Sequence, residues 1–139
     1  MLGFLDCGST FSCVNWAAAP YLGIPPRTDP SYQKMDKFIQ AIGVDGRLLQ
    51  LPLVERQLSF AGNPKLDPAT KQPRGFEAPP AAFKPWRPVS LGVGDIPAFA
   101  SILGDGVHPY AGPAALIGLD ILSQRHVIFE AGTDPRSRA

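Results

Sequence analysis

The stretch that decides the fold is Leu2-Gly3-Phe4-Leu5-Asp6-Cys7-Gly8-Ser9, in which a short apolar run ends in an acid and a glycine-bearing turn. The apolar run predicts a strand, and the turn holds a carboxylate at its end, where backbone can support it and solvent can reach it. Gly8 allows another backbone or a substrate to approach closely. We expect the Ser9 hydroxyl to donate a hydrogen bond to the Asp6 carboxylate. The stretch therefore suggests carboxylate chemistry.

A second apolar segment lies far downstream of the first in the sequence, at Ala115-Leu116-Ile117-Gly118-Leu119-Asp120-Ile121-Leu122. Together the two segments resemble the retropepsin-like aspartic proteases, in which Asp-Thr/Ser-Gly-Ala/Ser supplies the catalytic acid and a later apolar-apolar-Gly segment closes behind it. Thr10–Asn15, Gly94-Asp95-Ile96 and Val127-Ile128-Phe129 extend the similarity to the cellular branch of that family. The resemblance covers most of residues 1–130, apart from a central insertion.

The resemblance implies a fold and a domain organisation. It implies an all-β, retropepsin-like acid protease barrel over residues 1–130, forming a half-site domain with one or two short helices, and a C-terminal tail over residues 131–139. Only five residues precede Asp6, whereas family members place further strands before the catalytic loop. The chain is therefore expected to be truncated at its N-terminus, which would leave sheet edges exposed.

The count of acid motifs predicts how such a site would be completed. An aspartic protease needs two carboxylates, and Asp45-Gly46, Asp105-Gly106 and Asp120 do not repeat the pattern seen at Asp6. The second Asp6 is then expected from an identical chain across a two-fold axis. The two acids would share a proton, and the ionised one would activate a water to hydrolyse a polypeptide substrate. No metal or organic cofactor is required.

The resemblance also assigns roles to individual residues. It makes Asp6 catalytic, with Cys7, Gly8 and Ser9 as the supporting loop. Asp120 is expected to cap the following helix. The segment that packs behind the catalytic loop would be Leu116, Ile117 and Gly118.

A hairpin signal supplies a candidate for a flap that closes over substrate. Strand-like runs on either side of Asp45-Gly46, together spanning 37–51, predict two strands joined by a two-residue turn with both central residues at positive φ. Glycines at the tip would give the flap backbone freedom. The flap candidates are Gly43, Val44, Asp45 and Gly46. An ordinary hairpin in the sheet is the alternative interpretation.

Cys7 stands where the family usually has Thr or Ser, and this departure supports a second functional hypothesis. In the family that hydroxyl belongs to a hydrogen-bond network joining the two active-site loops across the dimer, and a thiol is a weaker donor. The alternative is therefore a catalytically inactive retropepsin-like module for dimerisation or peptide binding, such as a mobile-element remnant. Cys7 and Cys13 are expected to be free thiols in a reducing, intracellular compartment.

Composition excludes several other classes of function. With 139 residues and 45% hydrophobic residues, the chain can build one core, and its net charge of +1 gives no case for nucleic acid or an anionic membrane. We expect neither a membrane span nor a secretory signal. His108 and His126 lie far from Cys7 in the sequence and in no recognisable motif, which disfavours a cysteine nucleophile and a metal site.

The remaining pattern predicts short elements and one insertion. Asn15 and Gly23 are expected to mark the start and the end of one short helix, and a second short helix is expected over Leu119–Gln124. Further strands are expected over Val54–Phe60, Val89–Val93 and Ile96–Leu103. Residues 61–88 hold seven of the 16 prolines. They are expected to form an irregular surface insertion, with a partner-binding or autoprocessing loop as the alternative.

Overall fold

A computed structural model describes residues 1–43, 45–59, 62–78 and 87–128 of the chain. In these ranges strands dominate and helices are few and short, so the fold is all-β as predicted. The strands are β1 Leu2–Leu5, β2 Cys13–Val14, β3 Phe38–Ile42, β4 Leu48–Arg56, β5 Pro64–Leu66, β6 Pro73–Phe76, β7 Val89–Val93 and β8 Ala114–Ile117. The helices are two 3₁₀-helices, Trp16–Leu22 and Pro30–Lys34, and two α-helices, α1 Pro97–Ile102 and α2 Leu119–Leu122.

Six of the described strands form one sheet in the order β1-β8-β2-β7-β4-β3. β1 is parallel to β8 and β2 is parallel to β7, whereas the other neighbours are antiparallel. Because β8 lies between β1 and β2, the loop that joins these two strands must cross the end of β8. That loop spans residues 6–12, begins with Asp6 and is hereafter the Asp6 loop. β1 and β3 form the two free edges, so the described strands do not close into a barrel.

The sheet buries apolar side chains on both faces, because successive residues of a strand point in opposite directions. One cluster includes Val14, Ala115 and Ile117, together with Ile121 of α2. The other is built around Leu116 and includes Cys13, Leu51, Phe99 and Ala114. The second cluster lies on the face that carries the candidate site.

Two predicted helices are confirmed. The Asn15 side chain accepts a hydrogen bond from the Ala18 N–H at 3.1 Å, which satisfies one free donor of the helix Trp16–Leu22. Gly23 ends that helix with φ 60°. The predicted helix after Gly118 is present as α2, although it is shorter than expected.

One predicted strand is wrong, and another is confirmed only in its first half. Pro97–Ile102 is helix α1, because Pro97 at its first turn presets a helical φ and needs no hydrogen-bond donor there. Of the strand predicted over Val54–Phe60, residues 54–56 are present as the end of β4, which runs on through Pro52, and residues 57–59 are not strand. β4 pairs with β3 up to Pro52 and with β7 from Leu53 onward, so the missing N–H falls where the strand changes partner. Phe60 lies outside the described residues.

The hairpin of β3 and β4 is present, but its predicted two-residue turn is wrong. Ile42 pairs with Leu48, and the Gly43 N–H donates to the Arg47 carbonyl at 3.0 Å, so three residues separate the paired ends. Gly46 has φ 76°, as the three-residue hairpin loop requires of its last position.

Part of the proline-rich segment is more ordered than predicted. Residues 62–78 contain the two-stranded sheet of β5 and β6. Asp67 lies between these strands and forms an ion pair with Arg74, with 2.7 Å between Oδ2 and Nε. Hairpin pairing is possible here because the prolines lie at the first residue of each strand, Pro64 and Pro73. Residues 61 and 79–86 of the insertion, and the predicted tail 131–139, lie outside the described residues.

Candidate functional site

The Asp6 carboxylate is held in a turn at the end of β1. The Asp6 N–H extends the pairing of β1 with β8 by donating to the Ile117 carbonyl at 2.9 Å. The Gly8 N–H donates to Asp6 Oδ1 at 2.9 Å, and the Ser9 N–H donates to the Asp6 carbonyl at 3.2 Å. A Cβ atom at Gly8 would lie 3.1 Å from Oδ1, which would crowd the carboxylate. The turn therefore orients a half-buried acid with backbone groups.

Ser9 does not make the predicted hydrogen bond to Asp6. Its hydroxyl donates instead to the Phe11 carbonyl at 2.8 Å. A hydroxyl has one hydrogen to donate, so this bond excludes simultaneous donation to Asp6. Short polar side chains commonly bond to backbone two residues away, and here that local bond shapes the loop.

The apolar-apolar-Gly segment lies directly behind the Asp6 loop. Leu116 and Ile117 pair with Phe4 and Leu5 of β1. Gly118 follows, and a side chain there would overlap the Phe11 carbonyl and lie 2.9 Å from the Ser9 carbonyl oxygen. The absence of a side chain at Gly118 thus permits the close contact between loop and scaffold.

Ser12, which is buried, and Asp120, which is half-buried, form a connection that sequence reasoning missed. Asp120 Oδ2 accepts the Ser12 N–H at 2.9 Å, and Asp120 Oδ1 accepts the Ser12 hydroxyl at 2.6 Å. The Ser12 Oγ in turn accepts the Gly118 N–H at 2.9 Å. Asp120 also accepts the Ile121 N–H within α2, whose N-cap is Gly118. The prediction that Asp120 caps this helix is therefore wrong, because Asp120 lies within its first turn and Gly118 is the N-cap. Its carboxylate instead ties the helix to the Asp6 loop.

The two cysteines are free and lie in different environments. Cys7 is exposed in the Asp6 turn, whereas Cys13 is buried in β2. Burial, with the negative charges of Asp120 and Asp6 adding to it, raises the pKa of the Cys13 thiol to about 12. Cys13 is therefore a protonated core residue at neutral pH.

A cleft of about 550 Å³ lies between the Asp6 loop and the β3–β4 hairpin. Asp6 is the one carboxylate among the described residues that line it. Its apolar lining includes Phe11, Ile42, Leu49, Leu51, Ile96 and Leu116. The cleft thus combines a single acid with an apolar wall.

The flap candidates divide between the cleft and the hairpin tip. Gly43 lines the cleft, and Val44 lies outside the described residues. Asp45 stabilises the turn, because its Oδ1 accepts the Arg47 N–H at 3.1 Å and its Oδ2 lies 3.5 Å from Arg47 Nε. Gly46 supplies the positive φ at the tip. The structure therefore brings the hairpin, but not the Asp45 carboxylate, to the cleft.

Other candidate groups lie outside the cleft. His108 Nδ1 lies 3.2 Å from Asp105 Oδ2 in an exposed loop. Within the described ranges, no three His, Cys, Asp or Glu side chains gather as metal ligands would. In the same part of the chain, every helix is too short or too polar to cross a bilayer.

Comparison with known protein families, curated proteins and solved structures finds no match for this chain.

Proposed function

We propose that this chain is a retropepsin-like aspartic endopeptidase that acts as a homodimer. The observation that carries the proposal is the position of Asp6. Its carboxylate is oriented by the Gly8 N–H, lies at the end of a strand, and lines a cleft whose opposite side is lined by a hairpin. A fixed acid in a partly enclosed apolar cleft is the arrangement that general acid–base hydrolysis needs.

A second copy of the chain supplies the second acid. The described residues around the cleft contain one carboxylate, and an activated water needs both a base and an acid beside the carbonyl. β1 is a sheet edge, and Leu2 and Leu5 on it are 52% and 43% exposed next to Asp6. Leu119, 40% exposed, follows the scaffold segment. An apolar edge beside a half-site supports contact with an identical chain at this face.

The proposed chemistry follows from two equivalent carboxylates that share one proton. The ionised carboxylate removes a proton from water, whose oxygen forms a bond to the peptide carbonyl carbon. The protonated carboxylate donates to the carbonyl oxygen. This gives a tetrahedral diol. The proton taken from water then passes to the amide nitrogen, a diol hydroxyl returns its proton to the other carboxylate as the carbonyl re-forms, and the carbon–nitrogen bond breaks.

The cleft favours an extended polypeptide with apolar side chains. Its wall offers apolar surface and no charge other than Asp6 among the described lining residues. The β3–β4 hairpin forms part of this wall through Ile42, Leu49 and Leu51, and a hairpin that closes over a bound peptide would exclude bulk water from the reacting bond.

Two observations favour the alternative of an inactive dimerisation or peptide-binding module. The Ser9 hydroxyl bonds to Phe11, and a thiol replaces the usual hydroxyl at Cys7. Fewer strong donors then surround the acid than the family pattern implies. In that case the chain binds peptides in the same cleft without cleaving them.

Cleavage of a peptide library between acidic and neutral pH tests the proposal. Asp6→Asn should abolish cleavage, because an amide cannot act as the base. Asp36→Asn is the matched control, since Asp36 is exposed and does not line the cleft. Cleavage that survives Asp6→Asn would exclude the Asp6 mechanism, and peptide binding without cleavage by the wild type would support the inactive module.

A further inference from the structure

A second cavity, of about 310 Å³, lies on the opposite face of the sheet from the cleft. Phe38 and Pro52 line it, and they pair across β3 and β4, so their side chains share a face. Val93 and Trp16 also line it; Val93 belongs to the first core cluster and Trp16 packs against it, whereas the cleft lies on the face of the second cluster. β4 contributes to both linings because it lies between the two spaces.

Three aromatic rings line this cavity, hereafter the aromatic cavity: those of Trp16, Tyr32 and Phe38. Trp16 and Tyr32 pack edge to face, with ring centroids 5.4 Å apart and 83° between the ring planes. The Tyr32 hydroxyl donates to the Pro25 carbonyl at 2.7 Å, which fixes the orientation of the tyrosine ring. Phe38 is 37% exposed. The rings therefore offer a bound aromatic group both stacked and edge-to-face contacts.

Two opposite charges accompany the rings, since Arg27 and Asp95 also line the aromatic cavity. Asp95 Oδ1 accepts the Trp16 N–H at 3.1 Å, which holds the carboxylate beside Trp16. Asp95 Oδ2 has no hydrogen-bond partner among the described residues, and Arg27 forms no ion pair with any of them. Both side chains therefore retain the capacity to bond to a ligand.

This combination of groups restricts the chemistry of a ligand. A purely cationic ligand would be attracted by Asp95 but repelled by Arg27, and a purely anionic ligand would meet the reverse. An α-amino acid carries an ammonium and a carboxylate group together, so it complements both charges. The volume of the aromatic cavity is at the lower end of the range for ligand sites, about 300–1,000 Å³, which suits one small molecule. The three rings favour an aromatic side chain over an aliphatic one.

We propose that the aromatic cavity binds a free aromatic α-amino acid as its zwitterion. Arg27 pairs with the carboxylate of the ligand, and Asp95 Oδ2 accepts from its ammonium group. The aromatic side chain of the ligand packs on the three rings of the cavity. Binding is independent of the proposed endopeptidase activity, because the aromatic cavity and the cleft lie on opposite faces of the sheet.

Titration of the full chain with phenylalanine tests this proposal, with the NMR signal of the Trp16 indole N–H as the readout. Three analogues each lack one feature of the ligand: alanine lacks the ring, N-acetylphenylalanine the ammonium group and phenylalaninamide the carboxylate. Each should bind about tenfold more weakly than phenylalanine. Equal affinity for N-acetylphenylalanine or phenylalaninamide would overturn the proposal and indicate the C-terminus or N-terminus of a peptide as the ligand. A Trp16 signal that does not respond to phenylalanine would also overturn it.

Two charge variants test the ionic contacts separately. Arg27→Gln should weaken phenylalanine binding about tenfold without weakening phenylalaninamide, and Asp95→Asn should do so without weakening N-acetylphenylalanine. Asparagine keeps a carbonyl oxygen for the Trp16 N–H, so the local structure is retained. Arg87→Gln and Asp36→Asn are the matched controls, because both residues are exposed and neither lines the cavity. A variant that weakens phenylalanine and its analogue equally would contradict the assigned contact.

A signal from the cleft shows which space the ligand occupies. Thr10 lines the cleft and not the aromatic cavity, so its backbone N–H signal should stay constant while the Trp16 signal shifts. A Thr10 signal that titrates with the same midpoint as Trp16 would place phenylalanine in the cleft and overturn the proposal. Because no step of this titration requires cleavage, its result does not depend on whether the chain is an endopeptidase.

Discussion

The Ser12 hydroxyl donates a 2.6 Å hydrogen bond to Asp120 Oδ1 across a separation of 108 residues. The Ser12 N–H donates to the other oxygen of the same carboxylate at 2.9 Å. These bonds join the loop that begins at Asp6 to helix α2, which follows β8. The position of Asp6 therefore depends on contacts between the two ends of the described chain.

Removal of the Asp120 carboxylate should destabilise the fold. Asp120→Ala leaves the N–H and hydroxyl of fully buried Ser12 without their acceptor, which costs about 2–3 kcal/mol. Urea unfolding measures this loss. Asp36→Ala is the control, because Asp36 is exposed. Equal unfolding midpoints for the two variants would contradict the structural role of Asp120.

The two thiols should differ in reactivity with a disulfide reagent at about pH 8. Cys7 is exposed and should react quickly, whereas Cys13 is buried and has a pKa near 12. Its thiolate fraction is then on the order of one part in 10⁴, and the reagent cannot reach it in the folded state. Counting the thiols that react before and after adding denaturant checks this expectation. Two fast thiols in the folded chain would contradict the burial of Cys13.

Alkaline pH should destabilise the fold through Cys13. Because the folded pKa is raised, the neutral thiol is favoured in the folded state, and this contribution is complete below the unfolded value of about 8.5. It is lost as pH rises toward the folded value of about 12. The stability of Cys13→Ala should therefore fall less between these two values than that of the wild type. Parallel stability curves for the two proteins in this range would disprove the linkage.

Acid should loosen the turn between β5 and β6. The backbone N–H groups of Thr70 and Ala69 donate to Asp67 Oδ1 at 3.0 and 2.7 Å, and they lower the pKa of this carboxyl group. A lowered folded pKa favours the ionised form, so the stabilisation is present above the unfolded value and is lost as pH falls through the folded one. NMR shifts of the two amides should titrate below the usual aspartate value of about 3.9. A midpoint at or above that value would rule out these bonds in solution.

Local signals in the sequence predicted much of the secondary structure. Asn15 and Gly23 bound a helix through contacts with near neighbours, and Val89–Val93 is a strand as its apolar residues suggested. Pro97 was the main source of error, because the apolar run around it has the composition of a strand while the proline itself starts a helix.

Non-local relationships could not be predicted from the sequence. The insertion of β8 between β1 and β2 depends on contacts about 100 residues apart, and no local pattern encodes it. The bond between Ser12 and Asp120 follows from that insertion. The prediction for the Ser9 hydroxyl was wrong for a local reason. The Phe11 carbonyl, two residues along the chain, accepts its hydrogen bond in place of the Asp6 carboxylate.

The central claim is that two copies of Asp6 form one catalytic site, and mixing active and inactive chains tests it most directly. An equal amount of Asp6→Asn, added to wild type and allowed to exchange subunits, should reduce cleavage to about half, because half of the wild-type chains then pair with an inactive partner. Excess Asp6→Asn should reduce cleavage toward zero, and excess Asp36→Asn should not. Cleavage that stays constant at every ratio of Asp6→Asn would contradict a site shared between two chains.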